Sequence, residues 1–439
     1  MSYEEIIKFI KGLPPFIPLK RDDGRPLFDL EAVTELAYRL GNPQDRLKAV
    51  HIAGTNGKGS TAEFLSEIMI SSGYKTGLFT SPYLKCIREQ TKINSEIISK
   101  QDFAEVFSYV IEKAEEMKAE GMKVPSEFEM DVCASFLYFA KCKCDIVIIE
   151  AGLGGEFDAT NIISDPLLCI FTQISRDHMS VLGESLSEIA GVKAGIIKPG
   201  CDCLTVKQES EVSAVLEKRA WDRGARLKEA PEPEEVRSDL SGVSFIREIC
   251  GEDAKATLNV TGSYQALNAS LAIDAALILK QDGYPGVTAD TIKKGLLNVK
   301  RPGRFEVICK DPVIIADGAH NVGGVKALLE GLKQIFPGNY NAGKCFVFVA
   351  GVLADKEYDE MIDLVTPHAF KVFTVTPGNV RAMPAKTLAE VFEEHGADAI
   401  PEDDISTALD KAKQTATEKG IPVVVFGSLY YMGSLKGEM

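Results

Sequence analysis

Between Ala49 and Phe426 the chain alternates short, continuous apolar runs with longer stretches whose apolar residues recur every three or four positions. Ala49 to Ala53 reads as a buried strand, and a glycine-rich turn follows it. Ala62 to Ile70 then carries helical spacing through Phe64, Leu65, Ile68 and Met69. Thr76 to Thr80 and Leu167 to Ile174 predict further strands. Asp145 to Glu150 is the unbroken apolar run expected of a strand covered on both faces. Phe103 to Ala119 predicts an amphipathic helix, and Met130 to Ala140 a more apolar one. Strands alternating with helices predict a mostly parallel sheet.

The flanks differ. Residues up to about Leu47 look helical and polar, with Pro14, Pro15 and Pro18 interrupting the pattern. From about Trp221 to Ala256 short alternating segments predict a small antiparallel elaboration, and a helix from about Gln265 to Leu279 follows. After Arg301-Pro302-Gly303 a second α/β alternation begins, with strands at Val313 to Ala316, Cys345 to Ala350, Val372 to Val375 and Val423 to Phe426. The expected division is therefore into residues 1–298 and 299–439, with the loop around Arg301 as hinge. No internal repeat or low-complexity tract is evident.

Composition narrows the class. A chain of 439 residues that is 45% hydrophobic and 26% charged is ordinary for a folded protein and is not that of a disordered one. Its net charge of −15 argues against broad nucleic-acid binding, and no run is long and apolar enough for a membrane span. The acidic start predicts no secretory signal, so a cytoplasmic protein is expected. Ten cysteines include two CxC pairs, Cys142/Cys144 and Cys201/Cys203, but no CxxC. With five histidines and none clustered near those pairs, the expectation is reduced, mostly buried thiols and no zinc site.

The chemistry starts at Gly54-Thr55-Asn56-Gly57-Lys58-Gly59-Ser60-Thr61, between a strand and a helix. Glycines let backbone amides turn inward on a phosphate chain, the helix N-terminus adds partial positive charge, and Lys58 adds a full one. The spacing departs from GxxxxGK[ST], and a glycine-rich turn without a ligand is the alternative. Glu150, at the carboxyl end of its strand, is a candidate metal or water ligand where open α/β sheets place such groups. Ser81 offers a hydroxyl after another strand, or is an ordinary turn serine before Pro82. His178 also follows a strand, and a lone histidine is more often structural. Lys193 shares the apolar face of a helix with Leu186, Ile189, Ala190 and Ile197. Burial would lower its pKa and allow reaction with CO2 to an anionic carbamate; spacing alone favours a lysine that snorkels to the helix end.

Taken in order, these segments resemble the folylpolyglutamate synthase/dihydrofolate synthase family of the Mur ligase superfamily, nearly end to end. The resemblance rests on Ala53 to Ser60, Thr80-Ser81-Pro82-Tyr83-Leu84, Glu150 to Gly155 with Asp158 to Asn161, and Asp177-His178. It continues through Lys193 to Ile197, Gln265 to Asn268, Arg301 to Arg304 with Glu306, and Asp317 to Asn321. It implies a P-loop-containing, mostly parallel-sheet ATPase domain followed by a smaller Rossmann-like α/β domain, with catalysis in a cleft between them. It implies that Gly57, Lys58, Gly59 and Ser60 hold the phosphates of ATP. Asn268, Arg304 and Asp317 would contact ATP as well, and His320 would lie close by. Ser81, Glu150 and His178 match the family's Mg2+ positions, and Lys193 matches its carbamylated lysine. Ser126-Glu127-Phe128-Glu129, Phe157-Asp158-Ala159 and, less directly, Asp45-Arg46-Leu47 match segments that touch the pterin.

There are departures: Tyr83, Gln90, Tyr264 and Ser126 stand where the family commonly has His, Arg, His and Thr. They gather on the substrate side. The implied reaction is ATP-dependent ligation of L-glutamate to a folate or to dihydropteroate through an acyl phosphate, by a protein expected to be monomeric. The rivals are a Mur-type enzyme acting on a nucleotide-linked peptide, a nucleotide-operated switch and a small-molecule kinase.

Overall fold

The computed structural model describes residues 1–13, 19–20, 26–27, 29–433 and 435. The segment holding Pro14, Pro15 and Pro18 lies outside the described residues. Two compact units form, and they are discontinuous in sequence. One comprises Met1–Ser175, Met179–Glu232 and Asn268–Gly295; the other comprises Arg176–His178, Pro233–Leu267 and Leu296–Met439.

The first unit is built on an eight-stranded sheet. Its strands lie in the order Arg226–Glu229, Asp202–Thr205, Leu168–Phe171, Ala49–Ala53, Ile146–Glu150, Thr76–Phe79, Thr91–Ile93, Glu96–Ile97. The first six pair in parallel and the last two add an antiparallel edge. The four central strands are buried at every position, as their unbroken apolar runs require. Phe79, Phe107, Phe136, Phe139, Val147 and Ile149 belong to one core. Phe171, Ile189, Ile196, Val212 and Leu216 belong to another. The polar N-terminal region still has apolar stripes: Tyr3–Gly12 buries Ile6 and Ile10, and Glu31–Arg39 buries Ala32, Val33, Leu36 and Ala37.

The second unit carries a six-stranded sheet ordered Glu306–Lys310, Val313–Ala316, Val423–Phe426, Phe346–Ala350, Ala369–Thr374, Ala399–Pro401, antiparallel only at its first pair. The expected antiparallel elaboration is a three-stranded sheet, Glu234–Asp239, Gly242–Ile249 and Glu252–Leu258. Trp221 is not part of it, because Ser210–Asp222 continues as a helix. The strand expected over Leu167 to Ile174 stops at Phe171, since the residues after it serve the phosphate loop instead. Among the described residues no helix is long and apolar enough to cross a membrane.

Candidate active site

The phosphate loop leaves the carboxyl end of Ala49–Ala53 and enters the helix Lys58–Ser71. Two glycines are required by space. A Cβ on Gly54 would overlap Thr172 Oγ1, and one on Gly57, at φ 92°, would overlap the side-chain oxygen of Asn268. The loop is latched to the segment beyond the neighbouring strand. Thr55 and Asn56 amides donate to Gln173 O at 2.9 and 3.2 Å, and Thr55 Oγ1 donates to Ser175 O at 2.9 Å. The first helical amide bond runs from Thr61 to Gly57 O, 2.9 Å, so the amides of Lys58, Gly59 and Ser60 precede the helical ladder. Such amides make a helix N-terminus a site for anionic oxygens. Lys58 Nζ donates to Gly54 O at 3.1 Å and to Thr55 O at 3.4 Å.

Parallel register sets Glu150 opposite Ile52, so its carboxylate ends beside this loop. It is 4% exposed, and its Oε2 accepts the Ser81 amide at 3.1 Å. Lys193 is also buried, near the end of the helix Leu186–Ala194, and its Nζ donates to Gly54 O at 2.8 Å. It does not snorkel outward. Gly155 permits the close approach of this helix, since a Cβ there would stand 2.8 Å from Lys193 O. Ser81, Glu150, Lys58, Lys193 and Asn268 are thus gathered around one loop. A buried carboxylate at a strand end, next to a phosphate loop, fits the hard oxygen set that Mg2+ takes. Lys193 as an ammonium fits no cation.

The segments matched to the pterin are engaged locally. Ser126 caps the helix Glu127–Lys141: its Oγ accepts the Glu129 amide at 3.3 Å, while Glu129 Oε2 accepts the Ser126 amide at 2.7 Å. Phe128 lies against Phe79, ring centroids 6.1 Å apart, and excludes any side chain at Gly152. Burial raises the Glu127 pKa. Asp158 is buried; its carboxylate accepts from the Leu153 amide at 2.7 Å and from Thr160 Oγ1 at 2.5 Å, and so braces the glycine turn. Phe157 is exposed and Ala159 is buried. Asp45 and Arg46 lie in the short 3-10 turn Pro43–Arg46, while Leu47 is a core residue. Asp131 was not singled out in the sequence. It is buried, accepts from Gln90 Nε2 at 2.7 Å, and is pushed well up by burial and by Glu127. Its signal was its place four residues after Glu127, on the same helix face.

In the second unit Asp177 is a hub. It accepts from Lys356 Nζ at 2.6 Å, from Asn321 Nδ2 at 2.9 Å and from the His178 amide at 2.8 Å. Burial alone would raise its pKa, but His178, His320 and Lys356 outweigh this and hold it well below the usual carboxylate range. Lys356 Nζ stands 3.3 Å from His178 Nε2. His320 Nδ1 is 2.7 Å from Gly318 O, which can only accept, so Nδ1 carries the proton. Desolvation, with Lys356, pushes His320 down to about 4. Lys356 was missed because Asp355-Lys356-Glu357 reads as a solvated charge run, yet its side chain is 5% exposed.

Arg304 is partly buried on a strained loop: Phe305 is fully buried at φ 51°. Asp317 holds that loop. Its Oδ2 accepts from the Phe305 amide at 2.8 Å and from Tyr264 OH at 2.7 Å, and its Oδ1 from the Ala319 amide at 2.7 Å. Burial raises the Asp317 pKa, and Arg304 opposes the rise.

Comparison with known proteins agrees with this chemistry. Residues 52–276 match the Mur ligase middle domain, and residues 303–429 match the Mur ligase glutamate ligase domain. The chain is 34% identical to the dihydrofolate synthase/folylpolyglutamate synthase of Bacillus subtilis, over 93% of this chain and 94% of that one. It is 30% identical to the folylpolyglutamate synthase of Lacticaseibacillus casei, over 99% and 98%. A folylpolyglutamate synthase solved as an AMPPCP–folate complex superposes with a TM-score of 0.85 at 27% identity, over 99% of both chains. The fold and site thus define an ATP-dependent carboxylate–amine ligase with Mur ligase domains. Within that class, the chain belongs to the folylpolyglutamate synthase/dihydrofolate synthase family.

Proposed function

We propose that this ligase joins the amino group of L-glutamate to the carboxylate of a folate or of dihydropteroate, at the expense of ATP and with Mg2+. The observation that carries it is the convergence of Lys58, Lys193, Ser81 and Glu150 around Gly54. A carboxylate is a poor acyl donor, because its leaving group would be oxide. Moving the γ-phosphoryl group of ATP onto it gives an acyl phosphate and ADP, and the glutamate amine then displaces phosphate to leave the amide. The amides of Lys58, Gly59 and Ser60, with the Lys58 ammonium, bind and orient the phosphate chain. Glu150 and Ser81 would hold Mg2+, which would supply charge neutralisation to the phosphate chain. Carbamylated, Lys193 adds an anionic oxygen donor to that set. Arg304 supplies a cation for the transferring group, and His178 and His320 lie in the same unit as Arg304. The segments Ser126 to Glu129 and Phe157 to Ala159 support the pterin side, with Arg46 and Asp45 further out.

Two relatives bear on substrate range: one named for both activities and one for polyglutamylation alone. The protein is read as a cytoplasmic monomer. The deciding experiment measures ADP release with the pteroate substrate and glutamate supplied singly and together, with the product weighed by mass spectrometry. Turnover should need both, and the product should be one glutamate heavier. ADP release that is indifferent to glutamate would favour a switch or kinase and remove this reading.

A further inference from the structure

Three thiols, the near neighbours Cys201 and Cys203 and the distant Cys169, meet in the core of the first unit. Cys169 and Cys203 are register partners on the adjacent parallel strands Leu168–Phe171 and Asp202–Thr205. Cys201 stands just before the second strand. Its Sγ is 3.8 Å from Cys169 Sγ and 3.6 Å from Cys203 Sγ, and all three sulfurs lie within 4.8 Å of one another. A tetrahedral site with metal–sulfur bonds of about 2.3 Å has sulfur–sulfur edges of about 3.8 Å. Two of the three edges are already at that length, within a few tenths of an ångström.

We propose that Cys169, Cys201 and Cys203 form a three-thiolate site for a thiophilic d10 cation of the Zn2+ class, separate from the ATP chemistry. The donor set is soft and carries no hard oxygen ligand, so it selects against Mg2+. Binding replaces thiol protons with the cation: up to three protons leave as three metal–sulfur bonds form. The fourth position falls to a small exogenous ligand. Cys201, 8% exposed where Cys169 and Cys203 are 0% and 1%, gives the entry side. Three thiolates and a divalent cation leave one negative charge. Lys198, which interacts electrostatically with Cys169 and Cys201, offsets it.

The consequence is mechanical. Cys169 Sγ also donates to Ile196 O at 3.3 Å, in the turn three residues beyond Lys193. The proton in that bond leaves when the cation binds, so loading releases Ile196 O while the cation joins the strands of Cys169 and Cys203.

The test uses the full chain, reduced, stripped with a chelator and kept anaerobic, with Cd2+ as probe. Sulfur-to-cadmium charge-transfer absorption should saturate at one Cd2+ per chain with three-thiolate intensity, and Zn2+ should abolish it by competition. The thermal midpoint should rise and level off at the same ratio. Cys203→Ser should lose the three-thiolate band, while the paired change Cys142→Ser with Cys144→Ser should keep it. Absence of the band in the unaltered chain at one equivalent overturns the proposal, whatever the variants do. So does a band that survives Cys203→Ser in a variant folded by circular dichroism, or one lost on changing Cys142 and Cys144.

Discussion

Lys58 and Lys193 converge on a single acceptor, the carbonyl oxygen of Gly54, at 3.1 and 2.8 Å. Two ammonium groups at one oxygen repel each other, and burial strengthens the repulsion. Lys58 can leave for a phosphate oxygen, because it stands at the mouth of the loop. Lys193 is 4% exposed and has no such route. Conversion of its amine to a carbamate reverses its charge and turns the repulsion into attraction. Lys193→Ala should therefore lower ADP release by orders of magnitude with the circular dichroism spectrum unchanged. Lys193→Arg should fail equally, since a guanidinium cannot form the adduct. In 13C-bicarbonate the unaltered chain should show a carbamate resonance that Lys193→Ala lacks. An active Arg variant removes the carbamate from the account.

The second prediction concerns Gly57. Alanine there meets two penalties: a left-handed φ of 92°, which costs about 1–2 kcal/mol, and overlap with the Asn268 amide. Gly57→Ala should weaken ATP binding at least tenfold by calorimetry. Adding Asn268→Ala removes the overlap but not the φ cost, so the double variant should bind better than Gly57→Ala if Asn268 acts mainly through space. A double variant worse than either single change would mean that Asn268 itself binds nucleotide.

Arg304 and Asp317, matched together to ATP, should separate on mutation. Arg304→Ala removes a partly buried cation and should cost about a hundredfold in kcat, on the order of 3 kcal/mol, with little change in unfolding midpoint. Asp317→Asn puts an amide donor among three donors: Phe305 N, Ala319 N and Tyr264 OH. It should destabilise the second unit by about 1–3 kcal/mol. If Asp317→Asn leaves the denaturation profile untouched, the loop is held by something other than this carboxylate.

His51 should make stability pH-dependent. Its Nε2 is 2.8 Å from Thr160 Oγ1, whose one proton goes to Asp158, so Nε2 must donate. That leaves Nδ1 buried and without a partner. Burial, helped by Lys198, lowers the His51 pKa to about 3 from 6.5. Below pH 6.5 the unfolded chain takes a proton that the folded chain refuses. Stability is thus complete above 6.5 and falls towards pH 3 at up to about 1.4 kcal/mol per pH unit from this group. His51→Gln should flatten the acid side of a plot of denaturation midpoint against pH by that slope; an unchanged slope refutes the assignment.

The central sheet was legible because its strands are buried on both faces and are apolar throughout. Strands such as Arg226–Glu229 and Glu96–Ile97, largely exposed and charged, carry no such pattern. The phosphate loop, Glu150 and Ser81 were legible for a related reason: each follows a recognisable strand. Lys193 was placed on the right face, yet its acceptor, Gly54 O, lies 139 residues away and no spacing reveals it. Asp317 and Asp158, matched to ligand contacts, also accept from neighbouring backbone amides and hydroxyls, a structural share that no sequence spacing shows. The thiol cluster was hidden for the same reason as the Lys193 acceptor. Cys201 and Cys203 are a visible pair, but Cys169 joins them only through strand register.

The interleaving of the two units bears on how the chain is made. Their boundaries fall after residues 175, 178, 232, 267 and 295, so no single peptide bond separates them. A ribosome releases Met1–Ser175 first, but that unit lacks its final stretch until Gly295 has emerged. Meanwhile Glu234–Asp239, Gly242–Ile249 and Glu252–Leu258 appear before the sheet of their own unit exists. A nascent chain therefore carries an unsupported three-stranded sheet for nearly fifty residues of further synthesis after Leu258, before even the first strand of the unit's six-stranded sheet, Glu306–Lys310, appears. Slow translation there would leave that sheet's edges open to pairing with other chains, a hazard that chaperone capture or rapid elongation would limit.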